Sequence, residues 1–592
     1  MLKTALVVPE SERENAVSLL GKLGVVQIHF ESRAPGTAGE EARQLANVQS
    51  AISILESADA TPQPEDRNTP RDPDLSERIL NLDRRRAELA ADLTVLEKEA
   101  QRIAPFGDFE PGSMAPLAAH GLSLRLHRCT PADIKDLPSS LPCSIVGRSK
   151  GQVFLAVFRR ESDEFLRLPE VNLPASSLDD LRSRIAEHRN RLEEIEMELS
   201  AHRCHLAHLN SEAVRLQQRV EINRAVKAFR IDAPVAALKG YCPAPDMDRL
   251  QKLAAAEGWV VLSESPGPED APPTLIRSKP WIDAALPLYR LINSLPGYRE
   301  LDVTPWFLLF FAIFFGILIG DAGYGALLVV GLVILRTVKP VPAPLLRLGW
   351  ILGGTTMIWG AITGNWFGLE ALSSLPLLRS LVIPQLHAYT AASQDNVMQL
   401  SFLIGTAHLT LAHLLLAVRS RRSLSALAQI GWILIVWSAL FIVRFLVLER
   451  PVPDGTYPLL GAGILLVVPF TNPEKGLLRG MGSGIGNLPL KLMNCFSDII
   501  SYIRLFAVGI ATLAVAASFN EIASTFSSGG FFGMIAALLI LLVGHSLNIL
   551  MAGLSVIVHG IRLNMLEFSG HAGMEWSGTE FNPFKLVSPS DP

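Results

Sequence analysis

The sequence predicts N-terminal soluble α/β units joined by an antiparallel coiled-coil stalk, followed by an all-α membrane domain of about eight transmembrane helices. Two observations lead to this fold class. Of the 592 residues, 49% are hydrophobic and 19% charged, and these averages hide a division between a charged first half and long apolar runs over 304–567. Leucine and isoleucine also recur every seven residues in two stretches of the first half. We therefore expect a cytoplasmic domain over 1–300 and a membrane domain over 301–592.

Two small α/β units are predicted within the first domain. One combines residues 1–35 with 231–263, because both segments follow the order strand, helix, strand. The other lies at 115–170, where two apolar runs joined by the turn sequence SKG are typical of a β-hairpin. One unit is thus expected at each end of the stalk.

The heptad pattern covers 75–105 and returns over 178–227. In the first stretch the spacing of seven is met by Leu75, Leu82, Leu89, Leu96 and Ile103. Sustained spacing of this kind is typical of a coiled coil, and two such helices in one chain predict an antiparallel hairpin. The alternative is a pair of ordinary bundle helices.

Several features place the first domain in the cytoplasm. The N-terminal sequence has too short an apolar run for a signal peptide. The five cysteines are scattered and form no CxxC pair, which fits a reducing compartment. The formal net charge of −4 gives no indication of nucleic-acid binding.

Apolar runs separated by short polar loops fill the second half. The first run, 304–336, is 33 residues long and has GDAGYG at its centre. If the chain turns back at these glycines, the basic loops that follow all face the cytoplasm, as the positive-inside rule requires. If 304–336 is a single span, they all face outward. The sequence therefore favours eight helices with both termini cytoplasmic, the first two helices being near the lower length limit for spanning.

An arginine lies well inside the span from Asn494 to Glu521. A guanidinium stays protonated in hydrocarbon, where holding it costs about 2.5 kcal/mol or more. Asn494, Ser497, Ser501 and Arg504 follow one another at spacings of 3, 4 and 3, which is one helical face. We predict an ion pathway along this face. The alternative is a structural arginine paired with a neighbour.

The last apolar run carries a second polar stripe. Spacings of three and four residues place one set of side chains on a single helical face, with Ala552 as one member of the series. The polar members are His545, Asn548, Ser555, His559 and Arg562. Such a stripe usually faces protein or a water-filled cavity. The alternative is a helix–helix seam held by hydrogen bonds. Toward the cytoplasmic end, where side chains are expected to be solvated, come Glu567, His571 and Glu575.

Several stretches resemble one known family. SDIISYIRLFAVGIA (497–511) and GLSVIVHGIRLNMLEF (553–568) look like the last two membrane helices of the stator of V-type and archaeal-type rotary ATPases, called subunit a or subunit I. LDVTPWFLLFFAIFFGILIGDAGYG (301–325) and TGNWFG (363–368) resemble its first membrane segments. The resemblance covers nearly the whole chain, and the SYIRL context of Arg504 is its most specific motif.

The resemblance implies a function in ion translocation. Such subunits form two aqueous half-channels beside a rotating ring of small membrane subunits, each with a carboxylate. They couple proton or sodium movement to ATP hydrolysis or synthesis by partner subunits. Arg504 in SYIRL and Arg562 in HGIRL match the family's arginines. The side chains expected to line the ion path beside them are those of Ser501, Asn548, Ser555, His559 and Glu567.

The implied partners are that ring, peripheral stalk subunits, a central-stalk connector, the soluble ATPase head and the lipid bilayer of a prokaryotic plasma membrane. The chain has no GxxxxGK[ST] and no HExxH motif, so we expect a non-catalytic subunit without cofactor or metal. Two other classes compete. A self-contained secondary transporter with a cytoplasmic regulatory domain predicts inverted repeats, but GDAGYG has no counterpart in the second half of the membrane domain. A membrane-anchored scaffold would tolerate loss of the charge at Arg504.

Two positions depart from the family pattern. Some members have a glutamate where this chain has Ala552, and a histidine where it has Thr512. The corresponding relay roles are therefore expected to be absent, or moved to residues such as His545 or Glu521.

Overall fold

The computed structural model describes residues 1–30, 40–58, 74–108, 116, 120–136, 142–149, 151–160, 168–172, 176–277, 279–471 and 477–586. The chain divides into two compact units. The first contains 4–240 and 248–262 together with the chain from Phe584, and the second contains 1–3, 241–247 and 263–583. The predictions for 31–35, for parts of 115–170 and for 587–592 fall outside the described residues.

The first unit has the predicted α/β content. In chain order, its elements and the strands that complete its sheets are β1 (Leu2–Pro9), α1 (Arg13–Leu23), β2 (Gln27–Ile28), α2 (Glu40–Ser57), α3 (Leu75–Ile103), β3 (Leu122–Cys129), β4 (Cys143–Ser149), β5 (Gln152–Arg160), β6 (Glu170–Val171), α4 (Leu178–Ala201), α5 (Leu206–Lys227), β7 (Arg230–Asp232), β8 (Val235–Cys242), α6 (Met247–Glu257) and β9 (Val260–Glu264).

Two sheets result from these strands. One has the order β2-β8-β1-β9, with β7 paired to β8, so it joins strands from the two ends of the first 264 residues. The other has the order β4-β5-β3-β6, and β4 and β5 form an antiparallel pair in which Ser149 lies opposite Gln152. Both sheets lie where the sequence predicts α/β units.

In sequence order, the four helices α2, α3, α4 and α5 connect the strands of one sheet with those of the other. α3 packs against α4, and α2 packs against α5. Arg78 bonds to Glu198 and Arg189 to Glu97, so α3 and α4 run in opposite directions. A 3-10 turn at His202–His205 separates α4 from α5 and interrupts the heptad stretch predicted over 178–227. The coiled-coil stalk itself stays a prediction.

The second unit is helical. In chain order its helices are α7 (Leu286–Ile292), α8 (Thr304–Ile319), α9 (Ala322–Val338), α10 (Ala343–Thr363), α11 (Ala391–Arg419), α12 (Ser425–Leu448), α13 (Thr456–Phe470), α14 (Leu477–Ser501), α15 (Ile503–Ser527) and α16 (Gly530–Ala572), with two single turns at Glu370–Ser373 and Pro376–Arg379 between α10 and α11.

The apolar run that contains GDAGYG is bent. α8 and α9 meet at an angle of 119°. Gly320 ends α8 in the left-handed region, with φ of 66°, and Asp321 caps α9 through its side chain. Glycine is suited to this position because it has no Cβ to clash in that conformation. The run therefore does not form one straight helix.

Within the described residues, five helices are long and apolar enough to cross a membrane, or six if the bent pair counts as one span. α13, with 15 residues, is a shorter apolar helix. A helical C-terminal region with five or six candidate membrane helices is thus confirmed, and the count of eight spans stays a prediction. Its core is formed by aromatic and aliphatic side chains of α8, α11, α12 and α14.

The last helix changes its winding near its end. α16 is α-helical to Ser555, then π-helical over Val556–Gly560 and again over Leu563–Phe568. A π-turn holds one residue more than an α-turn, and such segments occur frequently at functional sites. The sequence spacing had predicted a regular α-helix here, so the π-helical segments are a correction to that expectation.

Candidate functional site

The two predicted arginines meet at one carboxylate. Arg504 lies in the first turn of α15, and its Nη1 donates to Oε1 of Glu567 on α16 at 3.0 Å. Nε of Arg562 lies 3.6 Å from the same oxygen. Glu567 is therefore shared by two guanidinium groups from two helices, and the cost of placing either arginine in an apolar domain is partly offset.

The π-helical winding explains how Arg562 reaches Glu567. In an α-helix, residues five apart point in directions about 140° from each other, because each residue turns the helix by about 100°. A π-helix bonds each residue to the one five positions away, which brings such residues onto one side. The stretch from Leu563 to Phe568 is π-helical, so Arg562 and Glu567 become neighbours.

The three charged side chains differ in exposure. The side chain of Glu567 is 4% exposed, that of Arg504 is 23% exposed, and that of Arg562 is 52% exposed. Two positive charges and one negative charge leave an excess of one positive charge. The guanidinium of Arg562 is thus the more accessible of the two, and its distance from Glu567 exceeds that of a normal hydrogen bond.

Some polar atoms beside this group have no protein partner among the described residues. They are Oε2 of Glu567 and both amide atoms of Asn564, and all three are buried. A buried polar group without a partner is costly, so such atoms usually bind water or a ligand. Asn564 lies within the second π-segment and was not singled out from the sequence.

The residues before Arg504 hold its helix in place. Ser501 Oγ accepts a hydrogen bond from Nη2 of Arg504 at 3.2 Å. Tyr502 is fully buried, and its hydroxyl lies 3.0 Å from Nδ1 of His408 on α11. The ring of His408 is stacked between Phe310 and Phe568, with centroids at 3.9 and 4.3 Å. The sequence reasoning missed His408, because no local pattern connects it with the SYIRL motif.

Asn548 belongs to a different hydrogen-bonded group. Its side-chain amide donates to the hydroxyl of Tyr324 at 3.0 Å and to the backbone carbonyl of Thr512 at 2.9 Å. The same hydroxyl lies 2.7 Å from Nδ1 of His545, whose Nε2 lies 3.1 Å from Oδ1 of Asn520. Tyr324 comes from GDAGYG, so this motif bonds directly to α16 and reaches α15 through His545 and Asn548. We call these residues the Tyr324 cluster.

The remaining predicted site residues lie between the two groups on α16. Ser555 is half-buried at the end of the α-helical part, and His559 is half-buried in the first π-segment. The structure thus brings together Arg504, Ser501, Arg562 and Glu567, and separates Asn548 from them.

Asp321 ties two of the family-like motifs together. It is buried, and its carboxylate accepts hydrogen bonds from the backbone N–H groups of Gly323, Tyr324, Phe367 and Gly368. The donors come from GDAGYG on one side and from TGNWFG on the other. Asp321 therefore fixes the bend between α8 and α9 to the end of α10.

His571 is not simply a solvated residue at a helix end, as its position in the sequence suggested. Its Nε2 lies 3.1 Å from Oδ2 of Asp498, and its Nδ1 lies 2.9 Å from Nε2 of His413. Glu575 is exposed, as expected. In the part of the chain that the structure describes, no three His, Cys, Asp or Glu residues are placed to hold a metal ion.

These features define a polytopic membrane protein with a charged cluster between its last two helices. The chain is 30% identical to V-type ATP synthase subunit I 1 of Treponema pallidum over 635 residues, which covers 99% of each chain. It is 35% identical to V-type ATP synthase subunit I of Borreliella burgdorferi, over 64% of this chain and 65% of that one. It is 28% identical to A-type ATP synthase subunit I of Methanocaldococcus jannaschii, over 59% and 54% of the respective chains. The chain therefore belongs to the V-type and A-type ATP synthase subunit I family, which confirms the resemblance drawn from its motifs.

A search of family models gave no match. Among solved structures, the chain is similar to the cytoplasmic N-terminal domain of subunit I, homolog of subunit a, of V-ATPase. That likeness has 16% sequence identity and a TM-score of 0.22, and covers 45% of this chain and all of the other.

Proposed function

We propose that this chain is the stator subunit of a rotary V/A-type ATPase that forms the two ion half-channels beside a rotating ring. In this role it couples translocation of protons, or of sodium ions, to ATP hydrolysis or synthesis by partner subunits. The observation that carries the proposal is the binding of two arginines from two apolar helices to one buried carboxylate. Such an arrangement places a permanent positive charge inside the membrane domain, where charged groups are typically part of ion paths.

In this proposal the two arginines have separate roles, which their difference in exposure supports. Arg504 is held by Glu567 and Ser501, so its guanidinium is fixed in position. Arg562 is half exposed and 3.6 Å from Glu567, so its guanidinium can turn toward a carboxylate on a passing ring subunit. A cation beside such a carboxylate favours its ionised form and so promotes release of its proton. The same charge blocks direct passage of protons between the half-channels.

The outer face of α16 supports the presence of an apolar partner. Only 17% of the 18 most apolar consecutive residues of this helix are buried inside the chain. Large side chains that are more than half exposed run along it: Leu538, Leu542, Val543, Leu550, Met551 and Leu554. A face of this kind fits lipid or another membrane helix. In the proposed arrangement it faces the ring, and the second π-segment brings the arginines to the same region.

The other parts of the proposal follow from the family. Ser555, His559, Asn548 and the Tyr324 cluster line parts of the ion path. The membrane domain has eight spans in a prokaryotic plasma membrane, with the N-terminal domain and the C-terminus in the cytoplasm. The N-terminal domain, with its coiled-coil stalk, binds the peripheral stalks, which link it to the ATPase head, and the chain itself is not catalytic.

ATP-driven acidification of vesicles containing the purified complex tests the proposal. We expect Arg504→Gln to abolish pumping while subunit content stays unchanged, because the amide carries no charge. Arg421→Gln, in an exposed loop, is the matched control and should pump normally. Normal pumping by Arg504→Gln would make the arginine structural, and purification of the chain without other subunits would favour a self-contained transporter.

A further inference from the structure

One histidine on α11 contacts the sequence neighbours of both partners in the ion pair between Arg504 and Glu567. Nδ1 of His408 lies 3.0 Å from the hydroxyl of Tyr502, which precedes Arg504 by two residues. The imidazole of His408 also stacks on the ring of Phe568, the residue after Glu567, with centroids at 4.3 Å and planes 7° apart. A single buried side chain thus joins the backbone beside Arg504 to the backbone beside Glu567.

Tyr502 occupies a slot on α11 that a glycine provides. A Cβ atom at Gly405 would overlap the ring of Tyr502, so any larger residue at this position would displace the ring. Gly405 precedes His408 by three residues, and residues three apart are neighbours on a helix surface. The edge of the Phe314 ring, from α8, also packs against Tyr502, with centroids at 6.0 Å. The tyrosine ring is therefore fixed by Gly405 and its hydroxyl by His408.

The position of Tyr502 matters because the helix is interrupted there. Tyr502 lies between the last residue of α14 and the first residue of α15. Its backbone N–H bonds to the carbonyl of Ile499 at 3.2 Å, and the N–H of Leu505 bonds to the carbonyl of Tyr502 at 3.0 Å. These bonds span three residues, as in a 3-10 turn, instead of the four of an α-helix. The first turn of α15, which carries Arg504, therefore depends on the anchored tyrosine for its position.

The same imidazole holds the second π-segment. Phe568 is the last residue of this segment and is fully buried. Phe310 of α8 covers the other face of the His408 ring, with centroids at 3.9 Å and planes 18° apart. The imidazole is thus held between two aromatic rings, and this stack fixes Phe568. Because Glu567 is adjacent to Phe568, the backbone that carries its carboxylate is fixed as well.

We propose that His408 is a positioning residue that holds the guanidinium of Arg504 against the carboxylate of Glu567 in the working complex. This inference rests on the proposed function and adds a residue that neither polar stripe contains. The bond between Arg504 and Glu567 is 3.0 Å long, and a hydrogen bond of this kind is lost when its atoms separate by a few tenths of an ångström. Without the contacts of His408, the first turn of α15 shifts relative to α16. The displaced positive charge then no longer blocks direct passage between the half-channels, so ions leak past the ring without turning it.

The test measures the number of ions transported per ATP hydrolysed by vesicles containing the purified complex, which we call the coupling ratio. The transported ion, proton or sodium, is first identified with the unmodified complex. We expect Tyr502→Phe to lower the coupling ratio about threefold or more while ATP hydrolysis continues, because the ring keeps its slot and only the bond to His408 is lost. His408→Phe should give a similar loss, since a phenyl ring can keep the aromatic stack but cannot bond to the hydroxyl.

The double variant tests whether the two residues act together. The variant with both Tyr502→Phe and His408→Phe should have a coupling ratio no lower than that of the more affected single variant, because both changes remove the same hydrogen bond.

Tyr289→Phe is the matched control for stability. Tyr289, on α7, is also fully buried, and its hydroxyl bonds to Oγ1 of Thr304 at 3.3 Å. Removing this hydroxyl should lower the melting temperature of the complex, as Tyr502→Phe does, because each change deletes one buried hydrogen bond. The coupling ratio of Tyr289→Phe should nevertheless equal that of the unmodified complex, because Tyr289 does not contact the residues beside the ion pair.

An unchanged coupling ratio in Tyr502→Phe or in His408→Phe would overturn the inference. An equal loss in Tyr289→Phe would also overturn it, because that result indicates general destabilisation. A double variant whose loss is the product of the two single losses would show that the residues act independently, with the same consequence. Arg504→Gln in the same vesicles separates the two proposals. If it transports nothing while the Tyr502 and His408 variants stay fully coupled, the half-channels stand and only the positioning role falls, whereas normal transport by Arg504→Gln would remove both.

Discussion

The side chains of Arg562 and Glu567 approach to 3.6 Å although the two residues are five positions apart in the sequence. Glu567 also accepts a hydrogen bond from Arg504 on the neighbouring helix. One carboxylate therefore sets the positions of both guanidinium groups, and the local π-helical winding makes this possible. Its removal should affect both arginines at once.

Replacing Glu567 by Gln should lower ATP-driven proton pumping at least tenfold. The amide keeps the shape of the side chain but removes the negative charge that the two arginines share, so Arg504 loses the ion pair that fixes it. Vesicle acidification measures the effect, with subunit content checked in parallel. Glu575→Gln, at an exposed position nearby, should pump normally. A Glu567→Gln complex as fast as its parent would show that the ion pair is not needed for translocation.

Replacing Asp321 by Ala should destabilise the membrane domain by several kcal/mol. Four backbone N–H groups would lose their acceptor, and each buried donor left without a partner costs about 1–3 kcal/mol. Asp321→Asn should cost less, because one amide oxygen can still accept hydrogen bonds. The melting temperature of the detergent-solubilised complex measures both effects. Asp395→Asn, an exposed aspartate on α11, should leave that temperature unchanged, and an equally stable Asp321→Ala complex would disprove the role of the carboxylate.

Replacing Tyr324 by Phe should lower stability by about 1–3 kcal/mol, because Asn548 and His545 would each lose a hydrogen-bond partner in a buried site. The same thermal measurement detects this loss. Tyr457→Phe is the control, since that tyrosine is largely exposed. If the Tyr324→Phe and Tyr457→Phe complexes have the same melting temperature, the Tyr324 hydroxyl contributes nothing measurable to stability.

The thiols of Cys143 and Cys242 should differ strongly in reactivity. Burial raises the pKa of Cys242 to about 11, whereas Cys143 is exposed. Because the thiolate is the reactive form, Cys242 should react on the order of a hundredfold more slowly at pH 8, before its burial is counted. Maleimide labelling followed by mass spectrometry measures this difference. Because the raised pKa favours the neutral thiol in the folded state, its stabilising contribution is present below pH 9 and is lost as the pH rises through about 11. Fast labelling of Cys242 in the folded protein would contradict the buried position.

The sequence predicted the two arginines and their polar stripes because charge inside a long apolar run is a local signal. It could not predict that both arginines bind Glu567. Spacings of three and four residues assume an α-helix, and no residue pattern in Leu563–Phe568 indicates a π-helix. GDAGYG suggested a turn, but its aspartate binds residues of TGNWFG and its tyrosine binds residues of α16, and such long-range pairs leave no local pattern. For the same reason His413 was missed, since its partner His571 lies 158 residues away.

The winding at the end of α16 also makes this stretch sensitive to length. Each π-turn holds one residue more than an α-turn, so it is equivalent to a single insertion that the helix has absorbed. Deleting one residue between Leu563 and Glu567 would let this stretch return to regular α-helix, and the residues that follow would keep their present orientation. His571 would therefore stay beside Asp498 and His413. An inserted residue that no further π-turn absorbs would instead rotate the helix end by about 100° and turn His571 away from both partners. The stretch therefore tolerates the loss of one residue better than the gain of one.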